Sequence, residues 1–381
     1  MVKKGSHIRR SHYVDLLDTN TNSIRKGIAK NIALLGPRKS GKTSIVKEHI
    51  SNVKNAIPIY IDFGKISLNP ENFSVELIGN VIFHFLRKPL SEYQKALQLE
   101  HILKTENEIP KNVFALIESI DNELLKIKPS QKLLVETSFK FAEALAKESN
   151  KRFLFVMDNI ENLFDLNNFS QIHDILSLIN FESEYVSYIA TSSAIKLSLN
   201  SLKKFECHEL KNLDRDETIK LVESITGKGS PSIAEEIFSF GNGHVLITTL
   251  IARKFNDVKN VRKAFLIELL VKDNGIHNYC SNSLDYYYNR ARGQTLLKTI
   301  LKVVAAEELR LSEIARKIYR SAPVTKSILE RLMDVDIIYR KDNRFYFSDN
   351  VLRLWIKLTS KGYDFDEVPD DKILDEAAKE L

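Results

Sequence analysis

Short apolar runs alternate along the first half of the chain with stretches whose apolar residues recur every three or four positions. The runs at 31–35, 57–62, 153–158, 185–190 and 205–210 are rich in Ile, Val, Leu and Phe, and they read as buried strands. Between them, 44–50 has helical spacing, and a helix opens at Asn69-Pro70 and runs to about residue 86. The pattern from 89 to 148 is helical, with new helices near Pro110 and Pro129, and 169–180 reads as a further helix. Five strands alternating with helices predict a doubly wound parallel sheet, with a ligand outside the carboxyl ends of the strands.

From residue 213 the pattern is helical only. Asp214 and Asp216 favour a helix start, and Gly241-Asn242-Gly243-His244 breaks the pattern before another apolar helix. Three helical segments follow at 296–304, 311–318 (with Ser312 as its cap) and 323–332. Two short strands then flank Lys341-Asp342-Asn343, whose Asp-Asn chemistry suits a hairpin. Three helices and a hairpin predict a winged helix-turn-helix. The expected organisation is an N-terminal arm over 1–30, an α/β core over 31–212, a helical lid over 213–292, a winged helix over 293–360 and an acidic tail over 361–381.

The candidate chemistry lies where these strands end. Gly36-Pro37-Arg38-Lys39-Ser40-Gly41-Lys42-Thr43 reads G-x-x-x-x-G-K-T, between a predicted strand and a helix that begins at Ser44. Glycines at both ends let the chain turn sharply and bring its amides close to phosphate oxygens. The helix N-terminus favours an anion. Lys42, expected to be partly exposed, would span the β- and γ-phosphates, and Thr43 would offer its hydroxyl to Mg²⁺. The implied cofactors are ATP or ADP with Mg²⁺. The run at 153–158 delivers Asp158 at the end of a buried strand, the geometry of a second Mg²⁺ ligand. Thr191, Ser192 and Ser193 end the next strand, where a hydroxyl can face a γ-phosphate. Tyr13 and Ile8 are the candidates to cover an adenine base, and His244 is a candidate for either a helix cap or a nucleotide contact.

Composition narrows the class. No apolar run approaches the ~18–20 residues that span a bilayer. Two cysteines, Cys207 and Cys280, with no metal-ligand spacing, fit a reducing cytoplasm. No G-x-S-x-G elbow is present. The net charge of +6 is concentrated: residues 296–357 carry thirteen Lys and Arg against eight Asp and Glu. In the third helix and the hairpin, Thr325, Lys326, Arg331, Arg340, Lys341 and Arg344 are candidate contacts to duplex DNA.

The loop at 36–43, the strand at 153–158, the hydroxyl-rich strand end, the Gly-Asn-Gly-His turn and the C-terminal winged helix together resemble the mainly archaeal ATPases of the STAND branch of AAA+ proteins. More distantly, the chain is similar to archaeal origin-recognition initiators. The resemblance implies a P-loop, AAA+-like ATPase core with a lid, acting as a nucleotide-driven switch for a winged helix that binds DNA or a protein partner. It also implies nucleotide-dependent oligomers. The family commonly has a second acid after the strand-end Asp to orient the attacking water; this chain has Asn159 there, with Glu161 two positions on as the substitute. Hydrolysis is therefore expected to be slow. The alternatives are a nucleotide-regulated DNA-binding protein that does not hydrolyse, and a signalling scaffold.

Overall fold

The computed structural model describes residues 10–24, 30–87, 107–227, 231–291 and 294–381. Ile8, the arm residues Lys3, Lys4 and Arg9, and the helical pattern expected over 89–106 lie outside the described residues. The chain divides into two units. Among the described residues, one comprises Lys42–Leu210 with the chain from Arg10 to Pro37, the other Lys211–Leu381 with Arg38–Gly41.

In the first unit, α1 (Ser11–Asn22) precedes β1 (Ile32–Leu35), α2 (Lys42–Asn52) and β2 (Ile57–Asp62). Then come α3 (Pro70–Leu86), α4 (Phe114–Leu124), α5 (Gln131–Glu148) and β3 (Phe153–Asp158). β4 (Val186–Ser192), α6 (Ile195–Ser201) and β5 (Glu206–Glu209) complete it. All five strands are parallel, in the order β2-β3-β4-β1-β5. β1, β3 and β4 are buried along their whole length. Their side chains alternate between two cores. Ala33, Leu35, Phe153, Phe155 and Met157 join Phe73, Phe139 and Phe141 on one face. Ile32, Leu34, Leu154 and Val156 join Val14, Leu17, Ile45 and Val46 on the other.

Among the described residues the edge strand β2 pairs with β3 alone, in a register that sets Asp62 against Asp158. Ile57 N–H points to β3, donating to Arg152 O, so the ring nitrogen of Pro58 lies on the open side. At the next outward position, Tyr60, the ring of His84 covers the backbone, with Nε2 3.3 Å from the amide nitrogen and 3.0 Å from the carbonyl oxygen. Burial lowers the pKa of His84, which keeps that ring neutral.

Local signals set the helix ends. Asn69 accepts from Glu71 N–H and Asn72 N–H ahead of Pro70, and Ser130 caps α5. The helix expected over 169–180 is absent. The chain instead makes 3-10 turns at Ile160–Asn168 and Ile175–Leu178. Asn167 Oδ1 accepts from Ile175 N–H and Asp174 Oδ1 from Leu176 N–H, so side chains take backbone donors that a helix would use.

The second unit holds α7 (Arg215–Thr226), α8 (Pro231–Gly241), α9 (Val245–Val258), α10 (Val261–Leu270) and α11 (Gly275–Ala291). Then follow α12 (Gln294–Ala306), α13 (Leu311–Lys317), α14 (Ala322–Asp334), an antiparallel hairpin of β6 (Ile338–Lys341) and β7 (Arg344–Phe347), α15 (Asn350–Thr359) and α16 (Asp371–Ala378). Asp214 and Glu217 form a reciprocal capping box on α7. At α13 the N-cap is Arg310, whose N–H donates to Glu313 Oε2, and Ser312 lies inside the helix. Asp342 and Asn343 both have positive φ, as a two-residue hairpin turn of this hand requires. One apolar core runs from Val222 to Ala377, and the acidic C-terminal segment contributes Leu374 and Ala377 of α16 to it. Among the described residues, no helix is long and apolar enough to cross a membrane.

Candidate functional site

The phosphate-loop sequence leaves β1 and enters α2. Gly36 N–H donates to Ser192 O at 3.1 Å, tying the loop's start to the end of β4. Gly41 has φ +101°, and a Cβ there would meet nothing within 4 Å, so the glycine is required by backbone conformation alone. Lys39 is also left-handed. Ser40 is buried and Ser44 exposed.

Lys42 is 5% exposed, where partial exposure was expected. Its ammonium donates to Gly36 O at 2.7 Å, Pro37 O at 2.8 Å and Ser193 Oγ at 3.1 Å. These acceptors match the three donors of an ammonium group, so the loop closes over the charge it would offer to a phosphate.

Asp158, 1% exposed at the end of β3, gathers three hydroxyls. Thr43 Oγ1 lies 3.1 and 3.0 Å from its two oxygens, Tyr60 OH donates to Oδ2 at 2.5 Å, and Thr191 Oγ1 donates to Oδ1. Burial raises the pKa of Tyr60 most, followed by the hydrogen bond and charge of Asp158 and then the charge of Asp62, so the phenol stays a donor.

Asn159 has left-handed backbone, with φ +57°. Its N–H donates to Thr191 Oγ1 at 3.1 Å, and its Nδ2 donates to Asp62 Oδ1 at 2.7 Å. Gly64 N–H also donates to that oxygen, at 3.0 Å. Asp62 Oδ2 has Lys65 Nζ at 3.4 Å, an ammonium 77% exposed. Glu161 is 2% exposed, and its Oε1 accepts from Ser193 N–H at 3.0 Å.

Lys42, Thr43, Asp158, Glu161, Thr191 and Ser193 therefore meet at one end of the sheet, as their places at strand ends predict. Tyr60 and Asp62 were not among the predicted site residues. Their signal is the alternation along β2, which puts both on the face that Asp158 shares.

Tyr13, an adenine-covering candidate, donates its hydroxyl to Glu209 O and fastens α1 to β5. His244 caps α9, with Nδ1 accepting from Ile247 N–H at 3.5 Å while Nε2 donates to Arg38 O at 2.9 Å. One neutral tautomer serves both bonds. Arg38 lies over the Tyr286 ring, 4.3 Å from its centroid.

Two of the DNA-contact candidates are placed otherwise than expected. Thr325 is fully buried and donates to Ser321 O. The guanidinium of Arg331 is held on Ala291 O through Nε and a terminal nitrogen. Both belong to the helix face that packs inward. Lys326, Arg340 and Lys341 are exposed, and Arg344 is half-buried and bonded to Glu308 O.

No protein-family model matches the chain, and no curated protein matches it. Among solved structures it is similar to a Walker-type ATPase of Pyrococcus abyssi, with TM-score 0.62 and 15% identity over 92% of this chain and 96% of that one. It also matches Drosophila ORC bound to DNA, with TM-score 0.43 and 9% identity over 92% of this chain and 87% of that one. A third match is a STAND protein with a tetratricopeptide repeat sensor from Pyrococcus horikoshii, with TM-score 0.38 and 14% identity over 98% of this chain and 44% of that one. The first likeness agrees with the parallel sheet and with the glycine loop between β1 and α2: the chain shares the α/β fold of that Walker-type ATPase.

Proposed function

We propose that this protein binds ATP with Mg²⁺ and hydrolyses it slowly, as a switch whose nucleotide state controls the C-terminal helices and hairpin. One observation carries the reading. Lys42, Thr43 and Asp158 converge at the C-terminal end of the sheet, with the lysine held by loop carbonyls and the threonine hydroxyl on the aspartate. A hydroxyl and a carboxylate oxygen are the hard donors that Mg²⁺ takes, and Thr43 and Asp158 are the pair that would hold it. The amides of 36–44 would wrap the phosphates, and Lys42 would exchange its carbonyl partners for phosphate oxygens. Glu161, bonded to Ser193 N–H, would fix the hydroxyl-rich end of β4. The amide at Asn159 supplies no base, which favours slow turnover.

A second reading concerns the segment from α12 to β7, which has the element order of a winged helix. Lys326, Arg340 and Lys341 project from α14 and the hairpin, and they favour duplex DNA as its partner over protein.

The test is a titration of purified protein with fluorescent ATP, with Mg²⁺ and with EDTA, alongside a phosphate-release assay. Micromolar binding that needs Lys42, with phosphate release that needs Mg²⁺, supports the reading. No binding under either condition ends it.

A further inference from the structure

We propose that Asp62, on the strand beside Asp158, is the carboxylate that orients and deprotonates the attacking water, and that Asn159 positions it. This rests on the ATPase reading above and names the group that performs its chemical step.

Asp62 and Asp158 are register partners at the ends of β2 and β3. Neighbouring strands lie about 4.8 Å apart, and in-register side chains leave the sheet on the same face. Tyr60 senses both carboxylates, and its hydroxyl is bonded to Asp158. The two acids have opposite surroundings. Asp158 is buried and surrounded by Thr43, Tyr60 and Thr191, as a metal ligand should be.

Asp62 is 14% exposed at its side chain and is held through one oxygen only, by Asn159 Nδ2 and Gly64 N–H. Its Oδ2 meets a single group among the described residues, the solvated Lys65 ammonium at 3.4 Å, which water can replace. A carboxylate fixed by one oxygen, with only an exchangeable ammonium on the other, can take water within hydrogen-bond reach, as a general base must. Glu161 is less suited, because it is buried and its Oε1 is committed to Ser193 N–H.

Asn159 connects the two acids. It follows Asp158 directly, and its left-handed backbone turns the amide toward β2, where Nδ2 meets Asp62. A carboxylate at position 159 would repel Asp62, whereas an amide donates to it.

In the step itself, Asp62 Oδ2 accepts a hydrogen bond from water. The water oxygen forms a bond to the γ-phosphorus as the bond from that phosphorus to the βγ-bridging oxygen breaks. The bridging oxygen keeps the electron pair and leaves as ADP. The water proton passes to Asp62 and then to the released phosphate.

The experiment is single-turnover phosphate release at saturating Mg²⁺-ATP, with fluorescent-ATP affinity and thermal melting measured on the same samples. Asp62→Asn should slow release by about a hundredfold or more while ATP affinity stays within about threefold. Asp62→Glu should recover part of the rate. Asn159→Ala keeps every carboxylate and guards against an Asp62 variant that fails to fold; it should slow release by about tenfold at unchanged affinity. Wild-type release by Asp62→Asn or by Asn159→Ala, with ATP bound, overturns the assignment and leaves the ATPase reading standing. A wild-type protein that binds no ATP overturns both.

Discussion

The hydroxyl of Tyr60 donates to Asp158 Oδ2 at 2.5 Å, linking an edge strand to the carboxylate that would hold the metal. A hydrogen bond to a buried charge contributes about 1.5–3 kcal/mol. Tyr60→Phe should lower the unfolding free energy by that amount in the absence of nucleotide, as read by urea denaturation. A change below about 0.5 kcal/mol would show that Thr43 and Thr191 alone satisfy the aspartate.

Lys42→Ala removes the charge and leaves the carbonyls of Gly36 and Pro37 without their donor. Losing one partner of a buried charged pair costs about 2–4 kcal/mol, so fluorescent-ATP affinity should fall by about thirtyfold to a thousandfold. The melting temperature should fall as well, because the lysine organises the loop before any phosphate arrives. An unchanged melting curve would mean that the loop keeps its shape without the ammonium.

Gly243 has φ +70°, and a Cβ there would lie 2.0 Å from Leu213 O. Its own carbonyl accepts from Leu213 N–H. Gly243→Ala should cost at least about 2 kcal/mol, since both conformation and contact forbid the methyl. Gly227 shares φ +70° but has nothing within 4 Å of its Cβ position, so Gly227→Ala should cost only about 1 kcal/mol. Equal losses in urea melts would refute the role given to Leu213.

His49, fully buried, lies between Thr21 and Asp18 and joins α2 to α1. Burial lowers its pKa below the ordinary 6.5, outweighing the opposing hydrogen bond and charge of Asp18. Below that pH the unfolded chain binds the proton more readily than the folded one. The stability His49 contributes is therefore complete above 6.5 and is lost as pH falls from there toward the folded pKa. Denaturation midpoints between pH 5 and 8 should show this slope, and His49→Gln should flatten it.

If the α12–β7 segment binds duplex DNA, three exposed cations remain to neutralise phosphate: Lys326, Arg340 and Lys341. The slope of log affinity against log salt should be about −2 to −3. Arg331→Ala should leave that slope unchanged, because its guanidinium is occupied by Ala291 O. A slope that falls by a full unit on this change would place Arg331 on the DNA.

The sheet was legible because its strands are runs of Ile, Val, Leu and Phe with a glycine loop or an acid at their ends. The loop residues and Asp158 followed from that pattern, since short-range spacing fixes which side chain leaves the end of a strand. The stretch 169–180 was misread as a helix because its apolar spacing is helical, while Asn167 and Asp174 compete for the backbone. Lys42 was expected to be partly exposed because sequence shows a charge but not the carbonyls that enclose it. Asp62 and Tyr60 passed unassigned because their importance comes from the pairing of β2 with β3, across nearly a hundred residues of chain. Arg331 looked like a DNA contact by composition, and only packing shows its guanidinium turned to a backbone carbonyl.

The open side of β2 is closed by two unlike means. At Pro58 there is no amide hydrogen to offer, and at Tyr60 the neutral imidazole of His84 from α3 lies against both the amide and the carbonyl. A sixth strand arriving at these two positions would find Pro58 without a donor and the Tyr60 backbone covered, which disfavours strand addition there. Self-association by strand addition at this edge is disfavoured, and copies that assemble must use other surfaces. The same two residues guard the ladder that aligns Asp62 with Asp158, since a competing strand would have to pair across Pro58 and the covered Tyr60.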